Sequence, residues 1–245
     1  MQKKLLLILL ALCLLLTVAA CKKKEPTPPT TDETPAGDTP AEDEGTLRYT
    51  YPLVGPEGNA ITVEVHAGAL LYVKGTGPMP DLAEADDQPW YEHGGVTGTS
   101  RSDAEGGTIL VKQIIVEEGI TEIGENAFRE FEKLQTVSLP ASLTVIGFQA
   151  FSTCRNLITV TGGTGVTTVE AGAFRYCTVL ESVEFSDKLI SVEDSAFDNI
   201  LLPGEQRRLK VTFAGNETAW QALITDAGKV KSGNQAFLNA TVTYP

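Results

Sequence analysis

The feature that most constrains this chain is the dipeptide Ala-Phe, which recurs four times at a fixed spacing of 23 residues. The four phenylalanines are Phe128, Phe151, Phe174 and Phe197. Self-similarity at a period of about 20 to 50 residues is typical of solenoids, in which one repeat is too small to bury its own apolar face. The sequence therefore predicts stacked coils that share one continuous hydrophobic core.

Residues 111–202 align without gaps as four repeats of 23 residues, and apolar residues fall in the same columns of each repeat. The columns begin at Val111, Ile114, Ile120 and Ile123 and recur at every step of 23. Alternation in "TVSL" and "SVEF" predicts a short strand in each coil, and the segment around Ala-Phe predicts a short helical turn. In the third repeat, "TGGTG" predicts that the strand ends early or bulges.

The repeats follow the pattern LxxVxLPxSLxxIGxxAFxxCxxL, which resembles the BspA-like class of bacterial leucine-rich repeats. Residues 70–91 are similar to the cap that precedes such arrays, and residues 211–245 are similar to their closing unit. The resemblance implies a leucine-rich-repeat solenoid that is mostly β, with short stacked parallel strands, short helical turns and a cap at both ends. It also implies adhesion to host or neighbouring-cell components.

The first residues are typical of an export signal, because two lysines precede an apolar run that ends in small residues. The alternative for this run is a single membrane anchor. The residues "VAAC", which end at Cys21, resemble the lipobox of bacterial lipoproteins, and that resemblance implies a lipid on Cys21. The residues that follow are rich in proline, threonine and acids, which predicts an extended, disordered tether.

These observations predict five segments and an exported chain that is anchored by lipid to the outer face of a bacterial membrane. The segments are a lipoprotein signal peptide (1–20), a lipid-anchored linker (21–45), an N-terminal cap (46–110), four leucine-rich repeats (111–202) and a degenerate C-terminal repeat or cap (203–245).

The net charge of the chain is −13 at pH 7. Such a balance argues against a nucleic-acid partner, because the phosphates would be repelled. A solvated acidic surface accounts for the charge without any cationic ligand.

The two cysteines of the repeats, Cys154 and Cys177, share one column. The coils on either side carry Phe131 and Ile200 in that column, so the sequence favours buried free thiols. A disulfide between adjacent coils is the alternative, although parallel side-chain directions disfavour it.

No catalytic or metal-binding pattern is present. His66 and His93 fall outside any HExxH motif. The acidic residues Asp81, Glu84, Asp86, Asp87 and Glu92 stand close together before His93. They lack the spacing of a calcium loop, so a solvated acidic loop is favoured, and Trp90 among them is predicted to be a core residue of the cap. We therefore predict no enzyme activity, no metal and no cofactor.

The exposed side of the predicted strands is the remaining candidate for function. Two residues of each coil are expected to point away from the core: Gln113, Ile115, Thr136, Ser138, Thr159, Thr161, Ser182 and Glu184. They would form a hydroxyl-rich strip on the concave sheet, a surface that solenoids commonly use for binding. Alternatively, they are ordinary strand-surface residues, since matched threonines stabilise stacked strands by themselves.

The sequence as a whole predicts a cell-surface binding module that mediates adhesion or recognises an extracellular protein or glycan. The alternative is a structural or accessory envelope lipoprotein whose partners lie on its own cell.

Overall fold

Short strands dominate the computed structural model, which describes residues 45–94, 110–200, 208–226 and 228–245. Residues 1–44, and with them the predicted signal peptide, Cys21 and nearly all of the linker, lie outside the described residues. The strands are β1 (Leu47–Val54), β2 (Ala60–His66), β3 (Leu70–Gly75), β4 (Gly77–Pro78), β5 (Gln113–Val116), β6 (Ile120–Ile123), β7 (Thr136–Leu139), β8 (Val145–Ile146), β9 (Thr159–Gly162), β10 (Thr168–Val169), β11 (Ser182–Ser186), β12 (Ser191–Val192), β13 (Lys210–Ala214) and β14 (Thr241–Thr243).

Helical structure is sparse in the same residues. The helices are two short 3-10 segments, Ala85–Asp87 and Tyr91–Gly94, and two α-helices, α1 (Glu217–Ile224) and α2 (Gln235–Leu238). Within the described ranges, no helix is both long enough and apolar enough to cross a bilayer. The prediction of a mostly β solenoid is confirmed.

The described strands form two sheets. The larger sheet has nine strands in the order β1-β2-β3-β5-β7-β9-β11-β13-β14, and the smaller has five in the order β12-β10-β8-β6-β4. The pairs β1–β2 and β2–β3 are antiparallel, whereas every later pair in the larger sheet is parallel. Each coil of the repeat therefore contributes one strand to each sheet.

The register between coils equals the sequence repeat. In the larger sheet Ile114 pairs with Val137, Val137 with Val160, and Val160 with Val183. In the smaller sheet Ile123 pairs with Ile146, Ile146 with Val169, and Val169 with Val192, again at intervals of 23 residues. Because side chains on a strand alternate between its two faces, this register puts every apolar column on the same side of its sheet.

The apolar columns form one core between the sheets. Every member of the columns that begin at Val111, Ile114, Ile120 and Ile123 is buried. The phenylalanine rings stack in a ladder, with centroid distances of 5.5 Å from Phe128 to Phe151, 5.5 Å from Phe151 to Phe174 and 5.2 Å from Phe174 to Phe197. Each coil thus covers the aromatic ring of its neighbour, as the repeat predicts.

The segment around each Ala-Phe is two successive tight turns rather than a regular helix. Left-handed residues interrupt it, such as Asn126 with φ 55° and Glu130 with φ 67°. Alternate backbone N–H groups then face the next coil: Phe128 N–H donates to Ala150 O and Glu130 N–H to Ser152 O, both at 2.8 Å. We call this set of bonds the turn ladder. The turn ladder provides acceptors in the next coil for these backbone N–H groups, which in a helix would bond within the same segment.

The glycines of the third repeat act as the sequence predicts. Strand β9 pairs with β11 only at Thr159 and Val160. Gly162 and Gly163 have φ values of 80° and 72°, which L side chains rarely adopt. The pairing with β11 therefore ends after Val160, whereas β9 stays paired with β7 through Gly162.

Both ends of the stack are closed by aromatic side chains. At the N-terminal end Trp90 is fully buried, lies 5.9 Å from Phe128, and donates from its indole nitrogen to Ala127 O at 2.9 Å. At the C-terminal end Phe237 stacks on Phe197, and Trp220 of α1 lies 5.1 Å beyond it. The predicted core position of Trp90 is confirmed.

Candidate functional site

The candidate site is the side of the nine-stranded sheet that faces away from the core, which we call the outer face. Strand register aligns seven of the eight predicted residues in two columns: Gln113, Thr136, Thr159 and Ser182 in one, and Ile115, Ser138 and Thr161 in the other. All of them are half-buried except Thr161, which is exposed. A row of short polar side chains thus runs across the coils.

Glu184 occupies the outer face but has a local structural contact. Its carboxylate accepts a hydrogen bond of 2.7 Å from the backbone N–H of Gly162. That donor is available because β9 has already left its pairing with β11. The side chain therefore stabilises the glycine bulge of the preceding coil.

Several hydroxyls of the outer face are also engaged within the sheet. Ser182 Oγ donates to Thr159 Oγ1 at 3.3 Å, and Thr161 Oγ1 donates to Val137 O at 3.4 Å. By contrast, the side chains of Gln113, Thr136 and Ser138 have no hydrogen-bond partner among the described residues. The part of the outer face on β5 and β7 is the part whose polar groups remain available to a ligand.

The cap strands extend the outer face on the side of β5, and the sequence-based prediction did not include them. Tyr72 on β3 pairs with Ile115, and Lys74 lies over the Tyr72 ring at 5.2 Å. Glu64 on β2 accepts a bond of 2.8 Å from Lys74 and one of 3.0 Å from His66. These bonds, the one from Lys74 most strongly, hold the pKa of the Glu64 carboxyl below its usual value.

The C-terminal strands extend the outer face on the other side. Lys210 pairs with Ser182, and Thr212 pairs with Glu184. Beyond them Thr241 and Thr243 continue the two columns on β14. The sequence does contain a signal for these two strands, because the triplets "KVT" and "TVT" resemble the "TVS" and "TVT" of the repeats. The two triplets lie outside the 23-residue period.

The acidic segment near residue 84 has local structural roles. Asp81 accepts from the N–H of Glu125 at 2.9 Å, and Asp87 accepts from the N–H of Glu84 at 3.1 Å. Glu84 also lies 3.5 Å from the guanidinium of Arg129. Over the part of the chain that the structure describes, no group of three histidine, cysteine, aspartate or glutamate side chains is arranged to hold a metal ion.

The two repeat cysteines are buried and free, as the sequence favours. Each thiol donates to a backbone carbonyl of the preceding coil, Cys154 to Phe128 O at 3.2 Å and Cys177 to Phe151 O at 3.1 Å. Burial, together with the neighbouring Cys177 thiol, raises the pKa of Cys154. A raised pKa keeps the thiol protonated and therefore poorly nucleophilic.

Comparison with known families decides the type of the repeat. Residues 106–206 match the model of the BspA type leucine rich repeat region, in six copies. The resemblance that the sequence suggested is confirmed for these residues. No match was found among curated proteins.

Solved bacterial leucine-rich-repeat proteins are similar to this chain at low identity. A leucine-rich repeat protein from Eubacterium ventriosum ATCC 27560 is 18% identical with a TM-score of 0.47, over 70% of this chain and 45% of that one. A leucine rich cell surface protein from Faecalibacterium prausnitzii A2-165 is 17% identical with a TM-score of 0.35, over 66% and 40%. The pneumococcal vaccine antigen PcpA is 15% identical with a TM-score of 0.32, over 69% and 51%. The chain thus spans about half the length of these structures or less.

Proposed function

We propose that this chain is an exported binding module that contacts an extracellular protein or glycan through its outer face. The observation that carries the proposal is the set of half-buried polar groups on β5 and β7. Gln113, Thr136 and Ser138 lie next to one another by strand register and have no hydrogen-bond partner among the described residues. Polar groups held on a rigid sheet are suited to binding, because little conformational entropy is lost when they engage a ligand.

Neighbouring side chains give this surface the mixed character of a recognition site. Ile115 adds apolar area, and Tyr72 beside it adds an aromatic ring with a polar end. Aromatic residues are enriched at the centres of protein interfaces, where they combine large contact area with few rotatable bonds. The position of Tyr72 next to Ile115 supports a contact centred near β3, β5 and β7.

Export and anchoring are parts of the same proposal. The apolar run of residues 1–20 and the lipobox-like "VAAC" at Cys21 support secretion followed by lipid attachment. A proline-rich tether of about 20 residues in an extended conformation would hold the outer face several tens of ångströms from the membrane. Such a distance would let the solenoid reach partners outside the cell.

The test is a binding assay with the full chain in mild detergent against a panel of extracellular-matrix proteins and a glycan array. The variant Thr136→Arg places a long charged side chain at the centre of the proposed contact. The matched control is Thr218→Arg, because Thr218 is exposed on α1, away from the outer face. We expect saturable binding to at least one component of the panel, which Thr136→Arg weakens at least about tenfold and Thr218→Arg leaves unchanged.

Two outcomes contradict the proposal. Absence of saturable binding across both panels would argue against an extracellular partner, and crosslinking on intact cells would then show whether the partners are envelope proteins of the same cell. Equal binding by the parent chain and by Thr136→Arg would place the contact elsewhere on the molecule.

A further inference from the structure

The turn ladder ends with an open donor at the last coil. In the three preceding coils the second left-handed residue donates its backbone N–H to the next coil: Glu130 to Ser152 O at 2.8 Å, Thr153 to Arg175 O at 2.7 Å and Tyr176 to Asp198 O at 3.0 Å. Asn199 is the fourth member of this series, with φ 54°. Its N–H has no acceptor among the described residues. A donor that is bonded in the three preceding coils therefore has no partner here among the described residues.

Asn199 lacks an acceptor because the next coil departs from the repeat at this point. Where a fifth pair of turns would continue the ladder, the chain forms α2 instead. The side chain of the buried Asn234 replaces one missing carbonyl, since its Oδ1 accepts from Phe197 N at 2.9 Å. Over the ranges that the structure describes, no group accepts from the N–H of Asn199. In the last coil the N–H of Phe197 therefore has an acceptor, whereas the N–H of Asn199, two residues later, has none among the described residues.

A cleft of about 340 Å³ lies at this open end. Its floor contains the apolar residues Phe197, Ile200 and Ala236, and its rim contains Asn199, Arg208, Gln235 and Asn239. The volume is at the lower end of the range of small-molecule sites. An apolar floor with a few polar groups at the rim is the usual composition of such sites.

The charges around the cleft favour an anion. Arg208 is exposed and forms no ion pair within the described residues. Asp198, the carboxylate of the cleft, is already engaged by Arg175 at 3.4 Å and by the Asn199 amide at 2.8 Å. Among the described residues that line the cleft, Arg208 is therefore the one charged group without an ion-pair partner, on a chain whose net charge is −13. The acidic surroundings select against a phosphate dianion more strongly than against a singly charged carboxylate.

We propose that this cleft binds a small hydroxylated carboxylate of the sugar-acid class. The guanidinium of Arg208 and the N–H of Asn199 would donate to the carboxylate, a pairing for which arginine has suitable geometry. The amides of Gln235 and Asn239 can both donate to and accept from hydroxyl groups. The apolar floor fits the C–H face of a sugar ring. This site is separate from the outer face and does not depend on the function proposed for that surface.

The test is a titration of the full chain in mild detergent with sodium glucuronate, followed by the backbone amide resonances. Glucose, acetate and inorganic phosphate are titrated in parallel to separate the contributions of the carboxylate, the hydroxyl groups and charge alone. The variant Arg208→Gln removes this cation, and Lys188→Gln is the matched control, because Lys188 is also exposed but lies in the turn after β11, outside the cleft. Both variants alter exposed side chains and should unfold at the same denaturant concentration as the parent.

We expect glucuronate to shift the Asn199 amide saturably at concentrations up to roughly ten millimolar, and to bind more tightly than glucose or acetate. Arg208→Gln should weaken this binding about tenfold or more, whereas Lys188→Gln should not. The proposal is overturned if glucuronate causes no saturable shift at Asn199, or if Arg208→Gln binds as the parent does. It is equally overturned if glucose, acetate or phosphate binds as tightly as glucuronate.

Discussion

The ring of Phe237 stacks on the ring of Phe197 with centroids 5.0 Å apart and an angle of 16° between their planes. The chain between them is longer than one 23-residue repeat and includes α1. The C-terminal unit is therefore a further coil with an insertion, since it supplies β13 to the larger sheet, a bridge from Val230 to Val192, and the last ring of the ladder. The aromatic ladder unites repeats and cap in one core.

The first prediction concerns the middle of this ladder. Phe151→Ala should lower the free energy of unfolding by about 3 to 5 kcal/mol, because it leaves a cavity between two stacked rings. Chemical denaturation of the purified chain measures the change. Phe148→Ala in the same coil is the control, because that ring is 38% exposed, and it should cost no more than about 1.5 kcal/mol. Equal losses for both variants would show that the ladder is not the core.

The second prediction concerns Glu122 on β6. Burial raises the pKa of this carboxyl, and Asp81, Glu170 and Glu125 raise it further by repulsion. A raised pKa means that ionisation at neutral pH destabilises the folded chain. Glu122→Gln should therefore increase the thermal midpoint at pH 7, and the increase should disappear as the pH falls below the ordinary value of 4.5.

The control for this measurement is Glu181→Gln, which removes one negative charge from an exposed position. It should change the midpoint much less at either pH. A lower midpoint for Glu122→Gln at pH 7 would contradict the assigned repulsion.

The third prediction concerns Glu64, whose pKa is shifted in the opposite direction from that of Glu122. Its pKa is lowered by Lys74 and His66, so its charged form stabilises the fold at pH values above the ordinary 4.5. Glu64→Gln should lower the midpoint at pH 7, and parent and variant should converge as the pH falls through the lowered pKa. Thermal denaturation across a pH series measures both effects. A difference that persists undiminished in acid would mean that packing, not charge, is the cause.

The fourth prediction concerns the reactivity of the buried thiols. Cys154 and Cys177 are fully buried, and the pKa of Cys154 is raised. Alkylation by iodoacetamide should therefore require unfolding and be slower in the native chain by a factor on the order of a thousand or more. Peptide mapping after timed labelling distinguishes these residues from Cys13 and Cys21. Comparable rates for Cys154 in native and denatured chains would contradict the burial.

The sequence predicts those parts of the fold that repeat. Because the period of the apolar columns equals the strand register, the pairing of Ile114 with Val137 follows from alignment alone. The turns were harder to predict. The column that begins at Asn126 contains Gly172, which suggests left-handed backbone, but the column that begins at Glu130 contains no glycine. Bonds to the next coil accompany this conformation at Glu130, Thr153 and Tyr176, and the local sequence does not reveal such bonds.

The candidate site was predictable to a similar extent. Strand alternation gives the outward position of Thr136 and Ser138, whereas the addition of Tyr72 depends on an antiparallel hairpin that has no 23-residue period. The cleft near Asn199 could not be predicted, because it exists where the repeat fails. The departure of the last coil from the repeat becomes clear only when its bonds are compared with those of the preceding coils.

The most direct test of the account is the order of the aromatic rings, because every surface described above depends on it. Nuclear Overhauser contacts between ring protons of the selectively labelled chain measure which rings are neighbours. We predict that Phe151 contacts Phe128 and Phe174, and that Phe197 contacts Phe174 and Phe237. Contacts that skip a coil, or the absence of a contact between Phe197 and Phe237, would contradict a single stacked core.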